Sequence, residues 1–232
     1  MIQQAIPAPR TTRNTAATLA HVAPFAVFVG IMGIEHALGI PAETGYPVRV
    51  AAAVLALLFF SRSYIPWKPS VPAASVVIGA AVFVVWIAPD VLFGYRHFWL
   101  FENPLTGSSG GVISPALQHD SLFLTLRAAS STLLVPIIEE LFWRSWLMRW
   151  LIDSDFQRVK LGTYVRSAFW LTAILFASEH GSYWEVGLAA GVIYNWWLIR
   201  TRNLADCMLA HAVTNGLLAV YVLMGGHWQY WL

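Results

Sequence analysis

Charge is scarce in this sequence. Asp, Glu, Lys and Arg together make up 11% of its 232 residues, against 58% hydrophobic residues. A soluble globular domain carries about 25% charged residues, so an ordinary water-facing surface is excluded. Cysteine is scarcer still. The single Cys207 rules out an internal disulfide and a cysteine-based zinc site. An excess of one sign is also missing. A net charge of +2 offers no basic surface for nucleic acid, and no nucleic-acid partner is expected. No separate soluble domain and no long-period repeat is visible, so residues 1–232 read as a single integral membrane domain. A convincing cleavable signal is absent too. Arg10 and Arg13 precede an apolar stretch, but further spans follow, so that stretch reads as a retained first helix.

What the chain does have is apolar runs long enough to cross a bilayer, and twelve Trp, a residue that anchors at headgroup level. The expected fold is all-α, a polytopic transmembrane bundle of about seven spans. They fall near 19–38, 47–61, 71–93, 121–151, 164–180, 183–200 and 204–224. The second run is short. The fourth exceeds the hydrocarbon thickness, and Pro136 within it predicts a kink, because proline removes a backbone donor and clashes with the preceding turn.

Lys and Arg set the orientation. Arg10, Arg13, Arg62, Lys68, Arg144, Arg149, Arg158, Lys160, Arg166, Arg200 and Arg202 fall on one side, and Arg49, Arg96 and Arg127 on the other. This asymmetry predicts a cytoplasmic N-terminus and an external C-terminus. The long connection over 94–120 then lies outside. Its Gly107-Ser108-Ser109-Gly110-Gly111 run predicts a solvated, mobile loop, with a lid over an entrance as the sharper alternative.

Ionisable residues inside a membrane segment are functional candidates, since each costs about 2.5–3.5 kcal/mol at mid-bilayer on insertion scales. The fourth span carries Glu139-Glu140 and then Arg144. Glu140 and Arg144, four apart, share a helix face and can pair, while Glu139 points about 100° away, free to face a cavity. The fifth span ends in Phe176-Ala177-Ser178-Glu179-His180, and the seventh places His211 and Asn215 four apart on one face. Alone, each signal has a structural explanation: a charge cluster locking helices, a satisfied terminal histidine, an interhelical hydrogen bond. Depth unites them. Along its helix Glu139 lies about 15 Å from Arg149, His180 about 21 Å from Arg166, and His211 and Asn215 about 13 and 20 Å from Arg202. All fall near the middle of a core about 30 Å thick. Glu35-His36 reads as interfacial, with a second polar pair as the alternative. His21, His97, His119 and His227 read as residues of helix ends or loops, and Gly187 and Gly191 as a packing face.

The pattern Glu139-Glu140-x-x-x-Arg144, Phe176-x-x-x-His180 and His211-x-x-x-Asn215 resembles the CAAX protease and bacteriocin-processing family of membrane endopeptidases, which includes the type II CAAX prenyl endopeptidases. The stretch from Gly187 through Tyr194 and Thr201 to His211 also looks like that family. The resemblance covers about 133–218, within a motif-bearing core of about 121–224. A weaker likeness is to the CAAX-protease-related proteins that accompany exosortase systems. The resemblance implies an intramembrane peptidase in which Glu139 and His180 activate water, His211 and Asn215 hold the oxyanion, and Glu140 with Arg144 orients the site. It implies no metal. Spacing alone leaves open a zinc site with Glu139, His180 and His211 as ligands. The implied partners are a membrane protein or peptide substrate and the lipid bilayer; oligomeric state is open. A bacterial cytoplasmic membrane is the expected location. Two other classes compete: a non-catalytic binder linked to immunity or scaffolding, and a small transporter relaying protons through its carboxylates.

Overall fold

The computed structural model of the chain describes residues 10–103, 107 and 113–231. Seven principal helices follow one another: α1 Arg10–Leu38, α2 Ala42–Ser61, α3 Pro72–Phe93, α4 Ser121–Trp150, α5 Arg166–Ser178, α6 Trp184–Thr201 and α7 Leu204–Gly225. Among the described residues the only β-type pairing is an isolated bridge between Asn103 and Gly107. Residues 108–111 of the glycine- and serine-rich run lie outside the described residues.

Five helices, α1 to α4 and α7, are long and apolar enough to cross a membrane. The chain is an all-α, polytopic integral membrane protein. α5 departs from the span expected over 164–180: its 13 residues reach only about 20 Å. It packs beside α6, where Gly191 lets the backbone at Ala173 come within 3.2 Å of a would-be Cβ. α1 starts earlier than its apolar run, because residues 10–18 contain neither proline nor glycine to stop a helix. His21 is therefore interior to α1 rather than near its end. It is buried against Tyr64 and Phe156, and its Nδ1 bonds to the Ala17 carbonyl.

The disruption expected at Pro136 takes the form of a π-helical turn over Ser130–Leu134, immediately before the proline. A wider turn accommodates a ring that would strike the carbonyl four residues earlier. A second π-helical stretch covers Leu141–Leu147, just past the two glutamates.

Two corrections concern polar groups. Glu35 is not a solvated interfacial residue: it pairs with Arg49 of α2 at 3.6 Å, both side chains are largely buried, and Gly45 leaves room for its carboxylate. The first part of the 94–120 connection is not a solvated loop. Arg96 is buried, pairs with Glu185 at 3.0 Å and Asp90 at 3.4 Å, donates to the Ser182 carbonyl, and lies 3.8 Å over the Tyr183 ring. Tyr95 donates to the Glu185 carboxylate, and burial beside that carboxylate pushes its hydroxyl up to about 12.

At the opposite end of the bundle, Asp206 accepts from the backbone of Ser70 and Val71 and from the hydroxyls of Ser70 and Ser75, fastening the start of α3 to α7. Farther along, Gly79 presses against the Ala210 carbonyl and Val213, and the Thr214 hydroxyl donates to the Gly79 carbonyl. This close crossing fixes α7, and with it His211.

Candidate active site

α4 supplies both glutamates. Glu140 and Arg144 are wholly buried, and Arg144 Nη1 donates to Glu140 Oε1 at 3.2 Å. The same oxygen accepts from His211 Nδ1 at 2.9 Å, which ties α7 to α4. Arg144 therefore belongs to the interior of the bundle and not to a charged loop. Its Nε donates to Asn195 Oδ1 of α6 at 3.1 Å, and its guanidinium lies 4.2 Å over the Phe176 ring of α5. Asn195 in turn donates to the Phe169 carbonyl at 2.9 Å. Three helices thus meet on one arginine, and α7 joins them through Glu140. A buried charge is tolerable when it is both paired and hydrogen-bonded.

Glu139 points to the other side, into a cavity of about 430 Å³. Its Oε2 stands 3.9 Å from His211 Nε2 and has no hydrogen-bond partner. His180, Asn215 and His211 line the same cavity. His180 follows the last turn of α5, and its Nδ1 bonds to the Phe176 carbonyl at 2.7 Å. A carbonyl only accepts, so Nδ1 carries the proton and a neutral ring offers Nε2 as an acceptor. Gly181, at φ +52, reverses the chain just beyond it, a conformation that favours glycine. Gly187 of α6 makes room for the ring: a Cβ there would stand 3.1 Å from it. The packing face expected at Gly187 and Gly191 is thus also the seat of a site residue. Asn215 donates to the Ser131 carbonyl through one N–H and keeps a second.

All six residues singled out in the sequence, Glu139, Glu140, Arg144, His180, His211 and Asn215, therefore meet at one place. Five others belong to it. Tyr194 stacks on His211 at 5.0 Å and donates to Thr214. Trp143 donates to Glu179, which sits exposed at the rim of the cavity. Asn195 completes the set. Being polar in the middle of an apolar helix, it carried the one signal that could have found it. Among the described residues no three His, Cys, Asp or Glu side chains form a metal-ligand set.

One end of the cavity is roofed by Tyr230 and Trp231, which follow α7. The roof is tied down by Tyr230 donating to Asp90 at 2.6 Å, Tyr183 donating to the Gln229 carbonyl at 2.7 Å, and Arg127 donating to the Trp231 carbonyl at 3.2 Å. The walls are aromatic, with Phe25, Phe28 and Trp86 among them. Carboxylates and imidazoles in such a chamber can exchange protons with a trapped water, away from competing solvent.

Neither the curated proteins nor the solved structures contain a match to this chain. Residues 121–217 match the family model described as Type II CAAX prenyl endopeptidase Rce1-like. Over that segment, which carries all six residues but none of the first three helices, the chain is similar to the CAAX protease family of peptidases.

Proposed function

We propose that this protein is an endopeptidase of a bacterial cytoplasmic membrane that hydrolyses a peptide bond of a membrane-associated protein or peptide. Its N-terminus is cytoplasmic and its C-terminus external. The observation that carries the reading is the convergence of Glu139, His180 and His211 on one cavity, with Glu140 held behind them by Arg144. Glu139 accepts a proton from a water that His180 Nε2 helps to orient. The water oxygen attacks the scissile carbonyl carbon. The resulting oxyanion is held by the free N–H of Asn215 and by Nε2–H of His211, a ring that carries a proton on both nitrogens in this step because its Nδ1 already donates to Glu140. Glu140 takes no proton in this scheme; its hydrogen bond to His211 Nδ1 fixes that ring. No metal takes part.

The test is cleavage of single-span peptides by purified protein in liposomes. Glu139→Gln keeps the size of the side chain and removes its capacity as a base, so turnover should vanish while the protein stays folded. Activity should survive chelator, with no stoichiometric metal in the preparation. Loss on chelation and recovery with added zinc would replace this scheme by a metal-assisted one. Full activity of Glu139→Gln would refute Glu139 as the base.

A further inference from the structure

Cleaving an amide requires a second proton transfer besides the one that activates water. The departing nitrogen must be protonated, because an amide anion is far too basic to leave. The cavity offers few groups able to give that proton. Ser131, Tyr183, Tyr194, Thr214 and Tyr230 all line it, and the hydroxyl of each has an oxygen partner: Ala128 O, Gln229 O, Thr214 Oγ1, Gly79 O and Asp90 Oδ2. His180 has given its N–H to the Phe176 carbonyl. Trp86 Nε1 and the second N–H of Asn215 can hydrogen-bond but do not release protons. His211 is turned to Glu140 on one side and Glu139 on the other, where the oxyanion would form.

One further acid lines the chamber. Glu179 adjoins His180 in sequence, and Trp143 Nε1 donates to its Oε1 at 3.0 Å, leaving Oε2 without a hydrogen-bond partner among the described residues and the carboxyl at the rim. We propose that Glu179 is the proton donor to the leaving amine. This rests on the peptidase reading above. The steps balance as follows. Glu139 takes one proton from water as the C–O bond forms. Protonated Glu179 gives its proton to the amide nitrogen as the C–N bond breaks, releasing a carboxylic acid and an amine. The proton held by Glu139 then passes to the Glu179 carboxylate through water, and both return to their starting states. Trp143 holds Glu179 in place for this transfer.

The discriminating experiment uses a membrane peptide that the wild-type protein cuts, and the same peptide with an ester in place of the scissile amide. An alkoxide leaves without prior protonation far more readily than an amide anion. Glu179→Gln should lower kcat on the amide by about 100- to 10,000-fold, the usual worth of general acid catalysis, and flatten the alkaline limb of its pH profile. On the ester the loss should be under about tenfold, and thermal stability should match the wild type. Glu139→Gln should fail on both substrates. Equal losses on amide and ester would make Glu179 a structural residue and overturn the proposal. Unimpaired amide cleavage by Glu179→Gln would also overturn it, by showing that Glu139 carries its proton on to the nitrogen. Neither of those results touches Glu139 as the base, whereas an active Glu139→Gln removes the peptidase reading and this one with it.

Discussion

Arg144 is the residue on which the interior depends most. Arg144→Ala leaves the Glu140 carboxylate buried with one partner fewer, a change worth about 3–5 kcal/mol when a buried pair is broken. Expression and thermal stability in detergent should both drop, and added salt should not restore them, since the pair is shielded from solvent. Asn195→Ala is milder. It removes one acceptor from Arg144 and one donor from the Phe169 carbonyl, so a loss of about 1–3 kcal/mol is expected in the same thermal assay. Gly187→Ala acts on geometry instead: a methyl 3.1 Å from the His180 ring must displace it, so cleavage should fall well before the melting temperature does. The six residues of the candidate site were legible in the sequence because burying charge in lipid needs a reason and their depths agreed. Trp143, Tyr194 and Thr214 were not. Trp and Tyr are so common in this chain that neither signals a site, and a membrane helix threonine usually bonds its own backbone, as Thr214 also does to Ala210.

Elements were legible where apolar length decides them and illegible where a neighbour does. α3 and α7 fall within a residue of the boundaries read from sequence. α5 came out shorter because Gly181 turns the chain into the cavity wall, a choice made by packing and not by hydropathy. The π-helical turns of α4 left no composition signal beyond Pro136. The start of the 94–120 connection was misread because a loop arginine is ordinarily solvated; Arg96 is instead the hub joining α3 to α6. The α3–α7 crossing yields a prediction. Gly79→Val would drive a branched side chain into the Ala210 carbonyl, which backbone hydrogen bonding holds in place. Overpacking of this kind costs about 1–3 kcal/mol and should lower the melting temperature. It should also disturb His211, one residue beyond Ala210, so residual activity should be below that of an equally destabilised variant altered at Gly45.

At the scale of the whole molecule, the two ends of the bundle differ in how they hold charge. Arg49 and Arg96, on the side read as external, are buried in ion pairs, and Arg127 is bonded to the segment after α7. Arg158, Lys160, Arg166, Arg200 and Arg202 occupy the ends and connections of α5 and α6 on the other side. Removing Arg144 from the inward count, as its burial requires, leaves the asymmetry in place. Reporters fused at residue 1 and after residue 232 should therefore read cytoplasmic and external. Finding both on one side would mean that α5 and α6 do not alternate as a crossing pair. The same geometry predicts that Tyr230→Phe, which frees the roof from Asp90, should raise the access of small thiol reagents to a cysteine placed at Leu218, with little loss of stability.

The contact between Glu140 and His211 joins residues 71 positions apart, and that between Arg144 and Asn195 joins residues 51 apart. During synthesis α4 enters the membrane long before α7 exists. Until then Glu139 has no imidazole from α7 beside it, and neither the proposed oxyanion donors nor the cavity roof has been made. On the peptidase reading, a partly translated chain should consequently be harmless to its neighbours in the translocon, however complete its first two motifs. Ribosome-stalled chains ending ahead of Leu204 should cut nothing, and should be cleared by quality control as exposed, half-partnered polar helices.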